Sequence, residues 1–78
     1  MQLSQLEYLQ AVASYGGVRK AARAVHVSLQ AVSSAIKKLE SEYQIALLDR
    51  STGQAALSPA GREFARRARM VLAQVDDL

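Results

Sequence analysis

A break of two residues constrains this chain most. Val18, Ala21, Ala22 and Val25 repeat at helical spacing, His26-Val27 interrupts them, and Val32, Ile36, Leu39 and Tyr43 resume at i, i+4, i+7 and i+11. Ser28 stands where the second helix needs an N-cap. The first helix has a small apolar face, so another helix can approach it closely. Histidine tolerates a left-handed backbone better than most residues and, when protonated, suits a helix C-terminus. His26 is therefore assigned to turn chemistry rather than to a metal or to catalysis.

The flanking segments are also mostly helical. Ser4 and Glu7 form Ser-x-x-Glu, a capping box that opens a helix running to about Ser14. Leu3, Leu6, Leu9 and Ala13 make one stripe on it, and Tyr8, Val12 and Tyr15 make a second, so it is expected to be covered on both sides. Gly16-Gly17 ends it. Downstream, Ile45–Arg50 and Ala55-Ala56-Leu57 flank the turn-like Ser51-Thr52-Gly53-Gln54, which reads as a two-stranded hairpin. Ser58 caps and Pro59 opens the last helix. There Leu57, Gly61, Phe64, Ala68, Val71, Val75 and Leu78 alternate spacings of 4 and 3, a heptad seam, while Arg62, Arg66 and Arg69 line another face.

Composition narrows the function. The chain has 78 residues, no cysteine and one histidine, which excludes a disulfide scaffold, a thiolate zinc site and a cysteine nucleophile. A domain this small buries only ~60–65% of its unfolded surface, so oligomerisation is the expected source of extra stability. The longest aliphatic run, Ile45-Ala46-Leu47-Leu48, is too short to span a membrane. Met1–Gln5 has no basic segment of the secretory kind, so a cytoplasmic location is expected. The net charge of +3 hides a blocked pattern. Arg19, Lys20, Arg23, Lys37 and Lys38 fall in one stretch without an acid, and Arg50, Arg62, Arg66, Arg67 and Arg69 share another with only Glu63. Such blocks favour a polyanion.

These elements combine into a mainly α winged helix-turn-helix: three helices, a small β-hairpin wing and a long final helix. In this motif the third helix enters the DNA major groove through its N-terminal residues. Its outer face here carries Gln30, Ser34, Lys37 and Ser41, flanked by Ser33 and Lys38. Glutamine reads adenine bidentately, serine meets several base edges, and lysine meets guanine or phosphate. The candidates for base readout are Leu29, Gln30, Ser33 and Ser34; those for phosphate or base are Arg19, Ser28, Lys37, Lys38, Arg50, Ser51 and Thr52. A protein-interaction module is the alternative, yet the outward face of residues 28–41 lacks the aromatic anchors that such interfaces favour. An enzyme is rejected: there is no carboxylate pair for a pocket, no Ser/His/Asp set, and Gly16-Gly17, Gly53 and Gly61 form no phosphate loop. No cofactor, metal or membrane is expected.

The residues also carry a family resemblance. Leu3-x-x-Leu6-x-Tyr8-Leu9-x-Ala11-Val12-Ala13, Ala21-Ala22-x-x-Val25-His26-Val27-Ser28, Ala31-Val32-Ser33-x-x-Ile36-x-x-Leu39-Glu40, Leu47-Leu48-x-Arg50 and Leu57-Ser58-x-Ala60-Gly61 occur in order. Together they resemble the N-terminal DNA-binding domain of LysR-type bacterial transcriptional regulators, over essentially the whole chain. The resemblance implies a DNA-binding domain over 1–57, with a recognition helix at about 29–42 and a wing at about 47–57 on phosphate or the minor groove. It implies a linker helix over 58–78 that pairs two copies on inverted half-sites of double-stranded DNA. Phe64, Ala68, Val71, Leu72, Val75 and Leu78 are the expected dimer interface. Tyr8, Val12 and Tyr15 are expected to meet a linker helix, its own or the partner's, in this homodimer. The seam runs to Leu78 without a C-cap, so a truncated linker helix and a missing effector domain are expected.

Four positions depart from the family pattern. Leu29-Gln30 stands where Gln-Pro is usual, Ser34 where arginine is frequent, and Gln44 where glycine is frequent. Leu29 is expected to touch a thymine methyl while Gln30 takes over polar readout. Loss of an arginine at 34 removes a contact worth ~1–3 kcal/mol. Gln44 in a left-handed conformation costs on the order of 1 kcal/mol.

Overall fold

A computed structural model describes residues 1–51 and 55–78. Its elements are α1 (Leu3–Tyr15), α2 (Val18–Ala24), α3 (Leu29–Tyr43), β1 (Leu48–Asp49), β2 (Ala56–Leu57) and α4 (Pro59–Asp76). α1 begins before the Ser4–Glu7 pair expected to cap it. Gln2 is the N-cap, and the Gln5 Oε1 accepts its backbone N–H at 2.9 Å. Glutamine can reach back as glutamate does. Gln5 is the buried residue of the two candidates, whereas Glu7 faces solvent.

α1 is the central element and packs against α2, α3 and α4. Leu6, Leu9 and Val12 are its fully buried side chains. The two expected stripes are corrected accordingly: Leu3, Ala13 and Tyr15 are exposed, and Val12 from the second stripe joins Leu6 and Leu9 in the core. Gly16 ends α1 at φ 85°, where its N–H meets the Val12 carbonyl. This backbone favours glycine.

The turn from α2 to α3 closes through His26, which has φ 60° as its type allows. Val27 donates to the Ala22 carbonyl at 3.0 Å and packs against the core. Val25, expected on the buried face of α2, instead points to solvent, because α2 ends at Ala24 and the turn brings Val27 inward. The Ser28 Oγ accepts the Ala31 N–H at 3.0 Å and starts α3 as expected. Val32, Ile36 and Leu39 are fully buried. Tyr43, the last member of that stripe, is exposed with its ring centroid 5.3 Å from that of Phe64. Gln44 does adopt the left-handed conformation, at φ 54°, and its Nε2 donates to the Ser41 carbonyl at 2.6 Å. That bond offsets part of the strain glycine would have avoided.

The segment Ala46–Leu48 joins three elements. The Glu40 carboxylate accepts the backbone N–H groups of Leu47 at 2.8 Å and Leu48 at 3.2 Å. On the other side Ser58 donates its N–H to the Leu47 carbonyl at 2.9 Å and its hydroxyl to the Ala46 carbonyl at 2.7 Å. The same Oγ caps α4 by accepting the Gly61 N–H at 2.9 Å. β1 and β2 pair antiparallel, Leu48 with Leu57 and Asp49 with Ala56, as the hairpin reading required. The wing returns to the helices through Val18, whose N–H meets the Ala55 carbonyl at 3.0 Å. The expected turn residues Thr52, Gly53 and Gln54 lie outside the described residues.

α4 corrects the heptad reading. Gly61, Ala65 and Ala68 are buried, Phe64 and Leu72 are half-buried against the same core, and Val71 and Leu78 are exposed. Ala68 therefore belongs to the core of its own chain. The cause is α1, which takes the Gly61–Ala65–Ala68 face; the Gln10 side-chain amide donates to the Ala65 carbonyl there. A Cβ on Gly61 would lie 2.1 Å from the Leu47 carbonyl oxygen. Gly61→Ala should therefore lower stability by about 3 kcal/mol, since backbone must move to admit it. Gly16→Ala, with open space around it, should cost only about 1 kcal/mol for its positive φ. Urea denaturation of both variants measures the difference.

Candidate nucleic-acid interface

α3 sorts its residues by angle. Its core face carries Val32, Ile36 and Leu39, so Gln30, Ser34, Lys37 and Ser41 face solvent on the other side. Leu29 is 38% exposed, a high value for an aliphatic side chain at a helix start. Ser33 is half-buried, at the border of the two faces. Lys37 and Lys38 are exposed farther along the helix. The Ser28 hydroxyl oxygen is taken by the Ala31 N–H. The free amides of the first turn point off the helix start, where the macrodipole also favours an anion.

Beside that helix start lies an open cleft of about 440 Å³. α2 supplies Arg19, Lys20 and Arg23 to its walls, the wing supplies Arg50, and α3 supplies Leu29 and Ser33. No acidic side chain lines it among the described residues. The structure thus brings Arg19, Arg50, Leu29 and Ser33 together. It leaves Gln30, Ser34, Lys37 and Lys38 on the adjoining helix face. Lys20 and Arg23 were not singled out from the sequence, although the unbroken basic run of α2 contained the signal.

The wing differs from expectation at Ser51. Its N–H and its hydroxyl both donate to the Asp49 Oδ1, at 2.9 Å and 2.6 Å. The side-chain bond from Ser51, then the backbone one, holds the Asp49 carboxyl below the usual carboxylate range. The Ser51 hydroxyl, a candidate for phosphate, is thus hydrogen-bonded to Asp49 in the free chain. Thr52, the neighbouring phosphate candidate, lies outside the described residues. Among the described residues no cluster of His, Cys, Asp and Glu is arranged to hold a metal. No helix among them is long and apolar enough to cross a membrane.

Comparisons with known proteins agree with this geometry. The sequence profile of bacterial regulatory helix-turn-helix proteins of the lysR family matches residues 3–62. The chain is 39% identical over 75 residues to the DNA-binding transcriptional dual regulator OxyR of Escherichia coli, covering 96% of this chain and 25% of that protein. It is 36% identical over 78 residues to the HTH-type transcriptional regulator YcgK of Bacillus subtilis, covering 100% of this chain and 24% of that protein. The chain thus spans about a quarter of the length of these relatives. Full-length CbnR complexed with its target DNA superposes at TM-score 0.90 with 34% identity, over 99% of this chain and 27% of that one. The BenM DBD in complex with catB site 1 DNA superposes at TM-score 0.89 with 32% identity, over 99% of this chain and 86% of that one.

The cap at the start of α3 sets where its amides and side chains stand. Ser28→Ala should cost about 1 kcal/mol and Ser28→Asp little, as thermal unfolding of the two variants will report.

Proposed function

The chain belongs to the LysR family of bacterial regulatory helix-turn-helix proteins, and we propose that it is a dimeric module that reads double-stranded DNA. The observation that carries this reading is the basic cleft. Four cations from α2 and the wing line a cleft beside the start of α3, whose outer face exposes Gln30 and Ser34. Phosphate contacts position a protein on DNA, and base contacts specify the sequence. Arg19, Lys20, Arg23 and Arg50 take the first task, with Ser28, Lys37 and Lys38 farther along the backbone. Leu29, Gln30, Ser33 and Ser34 take the second. Leu29 offers an apolar contact to a thymine methyl, and Gln30 offers the paired donor and acceptor that suit adenine. The wing lies on phosphate or the minor groove. CbnR and BenM, which share this fold, have each been crystallised with DNA.

Residues 1–57 serve as the DNA-reading unit, and 58–78 as the helix that pairs two copies. The pairing surface differs from the full heptad seam. Val71, Val75 and Leu78 form its apolar centre, and Phe64 and Leu72 contribute only their accessible edges. Two recognition helices related by a two-fold axis read an inverted repeat.

Selection of bound molecules from random duplex DNA tests the reading, and enrichment of an inverted repeat is the expected result. Absence of any enriched sequence would overturn it. On the selected site, Gln30→Ala should relax preference at one base position by ~1–3 kcal/mol. Lys37→Ala should weaken all sequences alike and reduce the salt slope by about 1. Val71→Glu or Val75→Glu should convert the dimer to monomer, read as solution mass; a dimer that persists would remove this helix face as the interface.

A further inference from the structure

A second basic groove, of about 550 Å³, runs between the C-terminal half of α1, β2 and α4. Arg62, Arg66 and Arg69 line it on one side and Gln10 and Ser14 on the other. No acidic and no aromatic side chain lines it among the described residues. Glu63, which pairs with Arg66 at 2.6 Å and Arg67 at 3.4 Å, lies outside the groove. Arg62 donates to the Leu57 carbonyl at 3.3 Å, which anchors one guanidinium nitrogen beside β2. Arg62 and Arg69 make no ion pair among the described residues.

This groove adjoins the cleft at the recognition helix. Gly16 stands in the walls of both, and the neighbouring residues Ala55 and Ala56 wall one each. Positive surface therefore continues from α2 and the wing, past the base of the wing, to the flank of α4. We propose that this α4 flank holds the phosphates of duplex DNA outside the half-site read by α3. The proposal rests on the DNA reading above and extends it. Arg62, Arg66 and Arg69 stand at i, i+4 and i+7, a rise of about 10 Å along the helix. Phosphates of one strand advance ~3.4 Å per step, so the three guanidinium groups match a short run of them. An acidic protein is the competing occupant, but a protein interface draws on aromatic anchors that this groove lacks.

The test compares two duplexes that carry the selected inverted repeat. One ends at the edge of the repeat, and the other extends it by about one helical turn, ~10 bp, on each side. Their affinities are measured against salt for the native chain and for the combined variant Arg62→Gln, Arg66→Gln and Arg69→Gln. The native chain should bind the longer duplex about tenfold more tightly at low salt, with a slope steeper by ~0.9 for each added phosphate contact. The variant should bind the shorter duplex as the native chain does and gain nothing from extension. An equal gain in both proteins, or no gain in either, overturns the proposal while leaving the DNA reading intact. Failure of the native chain to bind either duplex overturns the DNA reading itself. Circular dichroism melting shows whether the variant is folded; if it is not, Arg69→Gln alone carries the comparison, because that side chain makes no ion pair among the described residues.

Discussion

The arrangement depends on how the backbone at Leu47 is held. A carboxylate from α3 grips its N–H, a serine from the start of α4 grips its carbonyl, and a glycine of α4 leaves room for that carbonyl. The Glu40 contacts are charge-assisted and so among the stronger hydrogen bonds available. They also tie three elements at one place. The end of α3, the strand β1 and the first turn of α4 cannot move independently without breaking them. The fully buried Leu47 side chain adds core packing at the same residue. The angle between the outward face of α3 and the axis of α4 is thus set by a few backbone atoms.

Much of this was legible because local chemistry decided it. The turn at His26, the caps at Ser28 and Ser58 and the presence of a hairpin each follow from residue types acting on their own backbone, whereas the left-handed Gln44 was implied by the family resemblance. The errors share a different cause. Periodicity shows which residues share a face, but not which neighbour covers it. Val12 was placed in a stripe facing a linker helix, apart from Leu6 and Leu9, and it lies in one core with them because α1 is covered by three helices at once. Ala68 fitted a heptad seam, yet α1 claims it. Ser4 with Glu7 fitted a capping box, yet the helix starts two residues earlier, where Gln2 and the buried Gln5 make the cap. The candidate site was half legible: the α3 face came from spacing, whereas Lys20 and Arg23 needed the position of α2 beside the wing.

The electrostatic surface also follows from internal commitments. Glu40 serves the Leu47 and Leu48 amides, Asp49 serves Ser51, Glu42 meets the N-terminal ammonium at 2.9 Å, and Glu63 meets Arg66. Glu63 is held at a pKa of about 2, chiefly by its hydrogen bond from Arg66. These acids are spent on backbone, turn or ion-pair contacts away from the basic cleft. The net charge of +3 therefore understates the field that a polyanion meets there.

The packing of α3 has a consequence for how such modules diverge. Its core stripe and its outward side chains ride on one rigid cylinder, with Gln30 only two residues ahead of the first buried anchor, Val32. One residue inserted between them would turn Gln30 by about 100° relative to the core. New preferences can therefore arise in this helix by exchanging letters at fixed positions, but not by changing its length.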